Sequence, residues 1–260
     1  MVSKFAGYRL KLDRERKQVN ALSAEIGAFL DRIPYVSFID IHDESREIVF
    51  GIEVREQPNP MFCVTIGEIL HNLRSCLDHA LWQLVIHDGG SPHSRTGFPI
   101  YLDEGGFASE INRKGGMLKG LRTESVAKIK ELQPFITGEN TLSPLWQLHE
   151  LHNFDKHRTL ILAAGQLCKA RVSIGPLSAG VIPAQEVIVD LGPFEGNAII
   201  SRLSIPHWFV DTPEVQVDTP AEFYVAFGKG SPIAGPVVDT LGRIGKRVYE
   251  CIERIDALFS

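Results

Sequence analysis

The chain has 260 residues, of which 44% are hydrophobic and 23% are charged, and its formal net charge is −5 at pH 7. This length allows one large domain with a sizeable core. The acidic balance argues against a broad basic surface for nucleic acids, and the sequence carries no DNA-binding signature. Because no run of about 18 apolar residues occurs, no membrane span is expected.

The four cysteines are far apart in the sequence and form no Cys-x-x-Cys pair. They lie inside apolar patterns, which is typical of reduced, buried thiols. The basic N-terminal stretch has no apolar core of a signal peptide. We therefore expect a cytoplasmic protein.

Apolar periodicity and turn residues predict the elements in chain order. Helices are predicted over residues 4–31, 61–87, 107–112, 123–132, 145–163 and 236–259. Strands are predicted over residues 35–42, 46–55, 169–174, 186–191, 198–205, 214–217 and 222–227. Thr123 and Ser143 are expected to be helix N-caps, with Pro144 at the first position of its helix.

The order of helices, then strands, then a final helix predicts an α+β fold. A helical bundle is expected to carry an appended antiparallel β-sheet, which the early hairpin of residues 35–42 and 46–55 can join. We expect residues 1–260 to form a single domain. Its helical core takes residues 58–165 and 236–259, and its β-rich part takes residues 35–55 and 168–228.

A polar stripe is predicted along the helix of residues 61–87, opposite its apolar face. At about 100° per residue, His71, Arg74 and Asp78 share this stripe. Asn72 and His79 form a row beside it. A merely solvated helix face usually carries Lys and Glu, so this composition favours a functional site.

The helix predicted over residues 145–163 carries a second polar cluster. His149, Asn153 and Lys156 share one stripe, His152 lies next to it, and Arg158 follows. Two such faces packed together place imidazoles, a guanidinium and carboxylates in one cleft, which indicates an acid–base or anion-binding site. The alternative is a polar network at a helix interface, which uses the same residue types.

These residues belong to a longer pattern that resembles a widespread family of uncharacterised bacterial proteins. The pattern covers residues 58–162. It consists of Gly67-Glu68-Ile69-Leu70-His71-Asn72-Leu73-Arg74-Ser75-Cys76-Leu77-Asp78-His79, Trp82-Gln83-Leu84, Phe98-Pro99-Ile100, Leu148-His149 and Asn153-Phe154-Asp155-Lys156-His157-Arg158. The resemblance carries no established function with it.

Within this pattern, Arg74 and His79 resemble the Arg-x4-6-His signature of HEPN (higher eukaryote and prokaryote nucleotide-binding) domains. Those domains are helical bundles, often dimeric, and many act as metal-independent ribonucleases in toxin and phage-defence systems. The resemblance therefore implies a HEPN-like core, a homodimer and RNA as the partner. Ser75 stands where many active members have Asn, Asp or His directly after the arginine.

The residue types fit RNA cleavage without a metal or other cofactor. His79 would act as an acid or base near neutral pH, and Arg74 would hold the phosphate through two hydrogen bonds. Asp78, one turn after Arg74, is expected to pair with it or to orient a histidine. The predicted catalytic residues are Arg74, His79, Asp78 and His71. The predicted binding residues are Asn72, His149, Asn153, Lys156 and Arg158.

Two other classes of function stay open. Glu68-x-x-His71 has the spacing found in di-iron helical bundles, and His149-x-x-His152 is another pair at i and i+3. A di-iron site needs a second Glu-x-x-His motif, which is not visible, and Arg74 would place a cation beside the metal. The third class is a non-catalytic binding or scaffold protein whose β-sheet provides the partner surface.

Overall fold

The computed structural model describes residues 6–42, 44–138, 140–175, 185–204, 214–217 and 222–259. Within these ranges the helices are α1 Ala6–Leu30, α2 Met61–His87, α3 Glu104–Asn112, α4 Thr123–Glu131, α5 Pro134–Thr137, α6 Pro144–Asp155 and α7 Val237–Asp256. The strands are β1 Tyr35–His42, β2 Glu47–Val54, β3 Leu162–Gly175, β4 Gln185–Phe194, β5 Ala198–Ser204, β6 Glu214–Val217 and β7 Glu222–Phe227. Helices together with antiparallel sheets confirm the α+β class.

The chain divides into two compact units. The helical unit comprises Met1–Ser23, Met61–Leu160 and Val238–Ser260, and the β unit comprises Ala24–Pro60 and Ile161–Val237. This division follows the predicted separation of helical and β-rich segments, while the single domain over residues 1–260 stays a prediction. Among the described residues, no helix combines the length and the apolar character that crossing a membrane requires.

Helix α2 has the bounds that its periodicity predicts, and its apolar stripe lies in the core of the helical unit. The fully buried members of the stripe are Ile66, Leu70, Leu73, Leu77, Ala80, Leu81 and Leu84. Burial of each large aliphatic side chain contributes about 1.5–3 kcal/mol, so this stripe fixes which face of α2 remains accessible. The helix ends at His87, and the φ of +83° at Gly89 lets Gly90 N donate to the carbonyl oxygen of Val85 at 2.9 Å.

Helix α7 packs in the same unit through its predicted apolar stripe. The buried members within this unit are Leu241, Ile244, Val248, Cys251 and Ile255. Arg247 donates from Nη2 to the carbonyl oxygen of Leu132, at the end of α4, at 3.1 Å. The rings of His87 and Phe259 lie 5.2 Å apart and connect the end of α2 to the 3₁₀ turn after α7. Helices α2, α4 and α6 and all of α7 except Val237 therefore belong to one compact unit.

The helix predicted over residues 145–163 is wrong in its second half. Helix α6 ends at Asp155, and strand β3 already begins at Leu162. The last helical hydrogen bond runs from Arg158 N to the carbonyl oxygen of Phe154 at 2.9 Å. From Leu162 onward the backbone pairs with β7, because sheet pairing overrides the local helix propensity of this Leu- and Ala-rich stretch. Lys156 is therefore the C-cap residue of α6, and Arg158 lies just beyond the helix.

Helix starts also differ from prediction in detail. Thr123 is the first residue of α4, and Arg122 takes the N-cap position without a side-chain hydrogen bond. Helix α3 begins earlier than predicted because the Asp103 side chain caps it, accepting from Gly106 N at 2.7 Å. Ser143 does occupy the N-cap position of α6, although its side chain makes no capping bond.

The described residues of the β unit form two antiparallel sheets, where the sequence predicted one. Strands β1 and β2 form the predicted hairpin, in which Tyr35 pairs with Val54 and His42 with Glu47. Strand β5 pairs with β2, so the hairpin belongs to a sheet of its own with the order β1-β2-β5. The second sheet is built on the 14-residue β3, which pairs with β4, β6 and β7. The long β3 can take β7 along its first half and β6 along its last four residues.

Candidate functional site

The polar faces of α2 and α6 contribute to one pocket in the helical unit. The ring centroids of His71 and His152 lie 5.7 Å apart, and the two ring planes make an angle of 44°. The pocket, here called the α2–α6 pocket, has a volume of about 610 Å³. Its lining residues are Cys63, Val64, Gly67, Glu68, His71, His152, Asp155, Lys156, His157, Arg158 and Thr159.

His152 is an enclosed imidazole in the wall of this pocket. Its side chain is buried, and its Nε2 has no hydrogen-bond partner in the described part of the chain. Burial lowers the pKa of His152 to about 4, and the charges of Lys156 and Arg74 act in the same direction. At neutral pH the ring is therefore uncharged and keeps one nitrogen lone pair that can take a proton.

His149 and Asn153, both predicted as binding residues, interact with each other and do not line the pocket. The Nδ2 of Asn153 lies 3.0 Å from the Nε2 of His149. The His149 ring also stacks on Trp146, with centroids 5.1 Å apart. Burial, followed by the charges of Arg74 and Lys156, lowers the pKa of His149 to about 4. This pair therefore lies outside the lining of the pocket.

Two carboxylates lie in the α2–α6 pocket. Asp155 packs against Gly67 of α2, and burial raises the pKa of its carboxyl group. No hydrogen bond or ion pair connects Asp155 to another residue that the structure describes. Glu68 is exposed and accepts a hydrogen bond from Nε2 of Gln18 at 3.3 Å. Asp155 is thus the half-buried carboxylate of the site, and Glu68 is its exposed carboxylate.

Cations lie at the mouth of the pocket, directly after α6. Lys156 and Arg158 are both exposed, and within the described ranges neither takes part in an ion pair. The guanidinium carbon of Arg158 lies 5.7 Å from the ring centre of Phe154, which holds it near the chain turn. Their charges favour an anionic ligand at this entrance.

Arg74 and Asp78 form the predicted pair, but the pair is fastened to the segment after α2. The Arg74 Nη2 donates to Oδ1 of Asp78 at 3.1 Å and to the carbonyl oxygen of Phe98 at 2.5 Å. Phe98 N in turn donates to Oδ1 of Asp78 at 2.8 Å. The Nη1 of Arg74 is buried and has no partner among the described residues. Neither residue lines the α2–α6 pocket, so this network secures the Phe-Pro-Ile segment to α2.

Asn72 and His79, two further predicted site residues, lie near α1. Asn72 donates from Nδ2 to Oε1 of Gln18 at 3.1 Å. Partial burial, together with the charge of Lys11 on α1, lowers the pKa of His79. Lys11 itself donates to Oγ of Ser75 at 2.6 Å. In the described residues no hydrogen bond joins His79 to Arg74, and the structure places His79 outside the pocket lining.

Whether these side chains could bind a metal ion depends on how the donor atoms are arranged. Glu68 and His71 lie in the α2–α6 pocket, whereas His149 of the second pair does not. No group of three or more His, Cys, Asp or Glu side chains within the described ranges is arranged to hold a metal ion. The donor types in the pocket are those of a metal site, but their positions do not form one.

His152, Asp155 and His157 belong to the pocket although they were not among the residues chosen from the sequence. In the sequence His152 was visible as a neighbour of the predicted stripe and as the second member of the His149-x-x-His152 pair. Asp155 has a signal in the sequence, since it follows His152 by three residues and therefore lies on the same face of the predicted helix. No pattern in the sequence shows that Gly67 leaves space for its carboxylate.

Comparisons of this chain with protein-family models, with curated proteins and with solved structures give no match. The resemblance of Arg74 and His79 to the HEPN signature therefore stays a prediction.

Proposed function

We propose that the helical unit binds RNA at the α2–α6 pocket and cleaves it without a metal. The observation that carries this proposal is the 5.7 Å separation of the His71 and His152 rings in a pocket with a cationic entrance. Two imidazoles at such a distance can serve one phosphate from opposite sides, which is the arrangement that RNA transesterification needs.

The chemistry divides between the two histidines by their environment. His152 is uncharged at neutral pH, so it takes the proton of the ribose 2′-hydroxyl as that oxygen attacks the adjacent phosphorus. His71, exposed at the pocket mouth, gives a proton to the departing 5′-oxygen. The P–O5′ bond breaks as the new P–O2′ bond forms, which leaves a 2′,3′-cyclic phosphate and a 5′-hydroxyl.

The cations after α6 supply the phosphate contact. Lys156 and Arg158 lie at the pocket entrance, and their side chains are exposed and unpaired within the described ranges. Charge developing on the phosphorane oxygens is stabilised by such donors. Because the net charge is −5, RNA binding is expected to be confined to this site. Removing either of these two cations should reduce the salt dependence of the RNA affinity.

The proposal keeps the HEPN resemblance but gives Arg74 a different role. Arg74 fastens Phe98 to α2, and through its charge it lowers the pKa of His149 and His152. We therefore assign Arg74 a positioning role and His71 with His152 the catalytic role. A HEPN-like core and a homodimer remain part of the proposal, since a second copy would bring a second pocket to one RNA.

The test incubates the purified protein with mixed-sequence RNA in EDTA and follows cleavage by gel electrophoresis. Cleavage that persists in EDTA, yields 2′,3′-cyclic phosphate ends and falls at least 100-fold in His71→Asn and in His152→Asn supports the proposal. His79→Asn is the matched control, because His79 lies on the same helix but outside the pocket lining.

Other outcomes discriminate between the remaining classes. Activity lost in His79→Asn but kept in His71→Asn would show that Arg74 and His79 are the catalytic residues. Activity that EDTA abolishes and Zn²⁺ or Mn²⁺ restores would favour the metal reading. RNA that is neither cleaved nor retained by the wild-type protein would overturn the proposal.

A further inference from the structure

A second cavity lies in the helical unit between the N-terminal half of α1 and helix α7. Its volume is about 290 Å³. The residues that decide its chemistry are Glu15 and Arg16 from α1 and Gly245, Lys246 and Tyr249 from α7. None of these residues lines the α2–α6 pocket, so the cavity is independent of the function proposed above.

Glu15 is a buried carboxylate in this cavity. Its side chain is 95% buried, because its relative exposure is 5%. In the part of the chain that the structure describes, it forms neither a hydrogen bond nor an ion pair. Burial raises the pKa of Glu15 to about 7, while the charge of Arg16 opposes this rise. A buried carboxylate without a hydrogen-bond donor is costly, and a donor that enters the cavity would offset this cost.

The backbone of α7 leaves room for such a partner. A Cβ on Gly245 would lie 3.0 Å from Oε1 of Glu15, and a Cβ on Gly242, one turn earlier, would meet nothing within 4 Å. The carboxylate therefore packs against Gly245, and the space around Gly242 is open. Any residue other than glycine at position 245 would crowd the carboxylate and reduce the cavity.

Positive charge surrounds the opening of the cavity. Arg16 and Lys246 are exposed, and the guanidinium carbon of Arg16 lies 5.8 Å from the ring centre of Tyr249. Neither cation forms an ion pair in the described ranges. The cavity thus has a negative group at its buried end and two positive groups at its entrance.

We infer that this cavity binds a small zwitterion of the α-amino-acid type, with its ammonium group on Glu15 and its carboxylate between Arg16 and Lys246. A simple cation would have to sit beneath two positive side chains, and a simple anion would leave Glu15 without a donor. A zwitterion satisfies both ends at once. The volume is just below the range of about 300–1,000 Å³ that takes drug-sized ligands, which matches a ligand smaller than these.

The ligand's side chain also has a place in the cavity. Leu12 and Val19 add an apolar wall on the α1 side. Tyr249 provides a ring that is 44% exposed and can cover an apolar or aromatic side chain. Apolar amino acids such as leucine and phenylalanine are therefore expected to bind more tightly than acidic ones.

The test measures binding of each of the twenty amino acids to the full chain by titration calorimetry at pH 8. At least one apolar amino acid is expected to bind, and its N-acetyl and carboxamide derivatives are expected to bind at least tenfold more weakly. These derivatives remove the ammonium charge and the carboxylate separately. If none of the twenty binds, or if both derivatives bind as well as the parent, the inference is overturned.

Variants identify the cavity as the place of binding. Glu15→Gln keeps the shape of the side chain and is expected to weaken binding at least tenfold, and Gly245→Val is expected to abolish it by filling the space beside the carboxylate. Glu253→Gln on α7 is the matched control, because Glu253 is exposed and does not line the cavity. Binding that is equally strong in wild type, Glu15→Gln and Gly245→Val would place the ligand elsewhere and overturn the inference.

Discussion

Gly67 of α2 and Asp155 of α6 lie so close together that a Cβ on Gly67 would be 2.5 Å from Oδ2 of Asp155. The two helices approach at this point because one of them has no side chain there. The contact is also part of the wall of the α2–α6 pocket. It therefore links the packing of two helices to the position of the half-buried carboxylate in the candidate site.

The effect of Gly67→Ala is expected to depend on Asp155. In an exposed helix this change would stabilise the protein by about 1 kcal/mol, because alanine is the better helix former. Here the new methyl group must displace the Asp155 carboxylate, so we expect Gly67→Ala to lower the free energy of unfolding in the wild-type background. In an Asp155→Ala background the same change should raise it.

Urea denaturation of the four proteins of this double-mutant cycle measures the coupling between the two positions. Gly242→Ala on α7 is the control, since a Cβ at that position meets nothing within 4 Å. It should stabilise the protein in either background. If Gly67→Ala stabilised the wild-type protein as much as Gly242→Ala does, the close contact would not exist in solution.

Arg74→Ala is expected to lower the free energy of unfolding by about 2 kcal/mol, because it removes hydrogen bonds to Asp78 and to the carbonyl oxygen of Phe98. The Arg74 side chain is 14% exposed, so solvent screens this pair only in part. Lys128→Ala serves as the surface control, since Lys128 and Glu131 are 35% and 51% exposed and should contribute less than about 1 kcal/mol.

Chemical denaturation followed by circular dichroism compares the two variants. Equal losses for Arg74→Ala and Lys128→Ala would contradict the fastening role of Arg74. A protein with wild-type stability but without RNA cleavage would instead assign Arg74 directly to the chemistry.

The stability of the protein is expected to fall as the pH decreases from 6.5 towards 4, partly because of His152. In the unfolded chain its imidazole has a pKa near 6.5, whereas burial lowers this pKa to about 4 in the folded protein. Over this window the unfolded state therefore binds a proton that the folded state does not. The contribution is fully present above pH 6.5 and is lost as the pH falls.

For one such histidine the free energy of unfolding should decrease by about 2 kcal/mol between pH 7.5 and pH 5.0. Urea titrations at these two pH values are compared for the wild type and His152→Gln. Between the two pH values, the free energy of unfolding of His152→Gln is expected to decrease by about 2 kcal/mol less than that of the wild type. An identical pH dependence in His152→Gln would show that His152 is not buried as described.

Alkylation should distinguish Cys63 from Cys76 and Cys251. All three thiols are buried, and burial raises the pKa of each, to about 12 for Cys76 and about 11 for Cys251. Because only the thiolate reacts, all three should react slowly in the folded protein. Cys63 borders the α2–α6 pocket and is 8% exposed, whereas the other two are fully buried, so Cys63 should react first.

Mass spectrometry after treatment with iodoacetamide locates the modified cysteine. An RNA oligonucleotide that occupies the pocket should slow the modification of Cys63 and leave the other two rates unchanged. Protection of Cys76 or Cys251 in place of Cys63 would move the RNA site away from this pocket.

The sequence by itself determined the elements whose patterns are local. The stripe from Ile66 to Leu84 predicted the bounds of α2, because one helix face must be apolar along its whole length to be buried. The pairing of Arg74 with Asp78 followed from their i, i+4 spacing. The hairpin of β1 and β2 followed from the alternation in β2 and the turn between the strands.

The tertiary structure alone decided the end of α6, the division into two sheets and the membership of the pocket. The Leu- and Ala-rich end of the predicted helix is a good helix former, yet from Leu162 onward strand pairing with β7 determines its conformation, and no local pattern encodes a distant partner. The candidate site is likewise assembled by contacts between segments that are distant in the sequence. Spacing along one helix places Arg74 near His79, but packing between helices places His71 beside His152 and Asp155 against Gly67. Contacts between helices depend on which side chains are absent as much as on which are present, and a single sequence does not show where a glycine lets another chain segment approach.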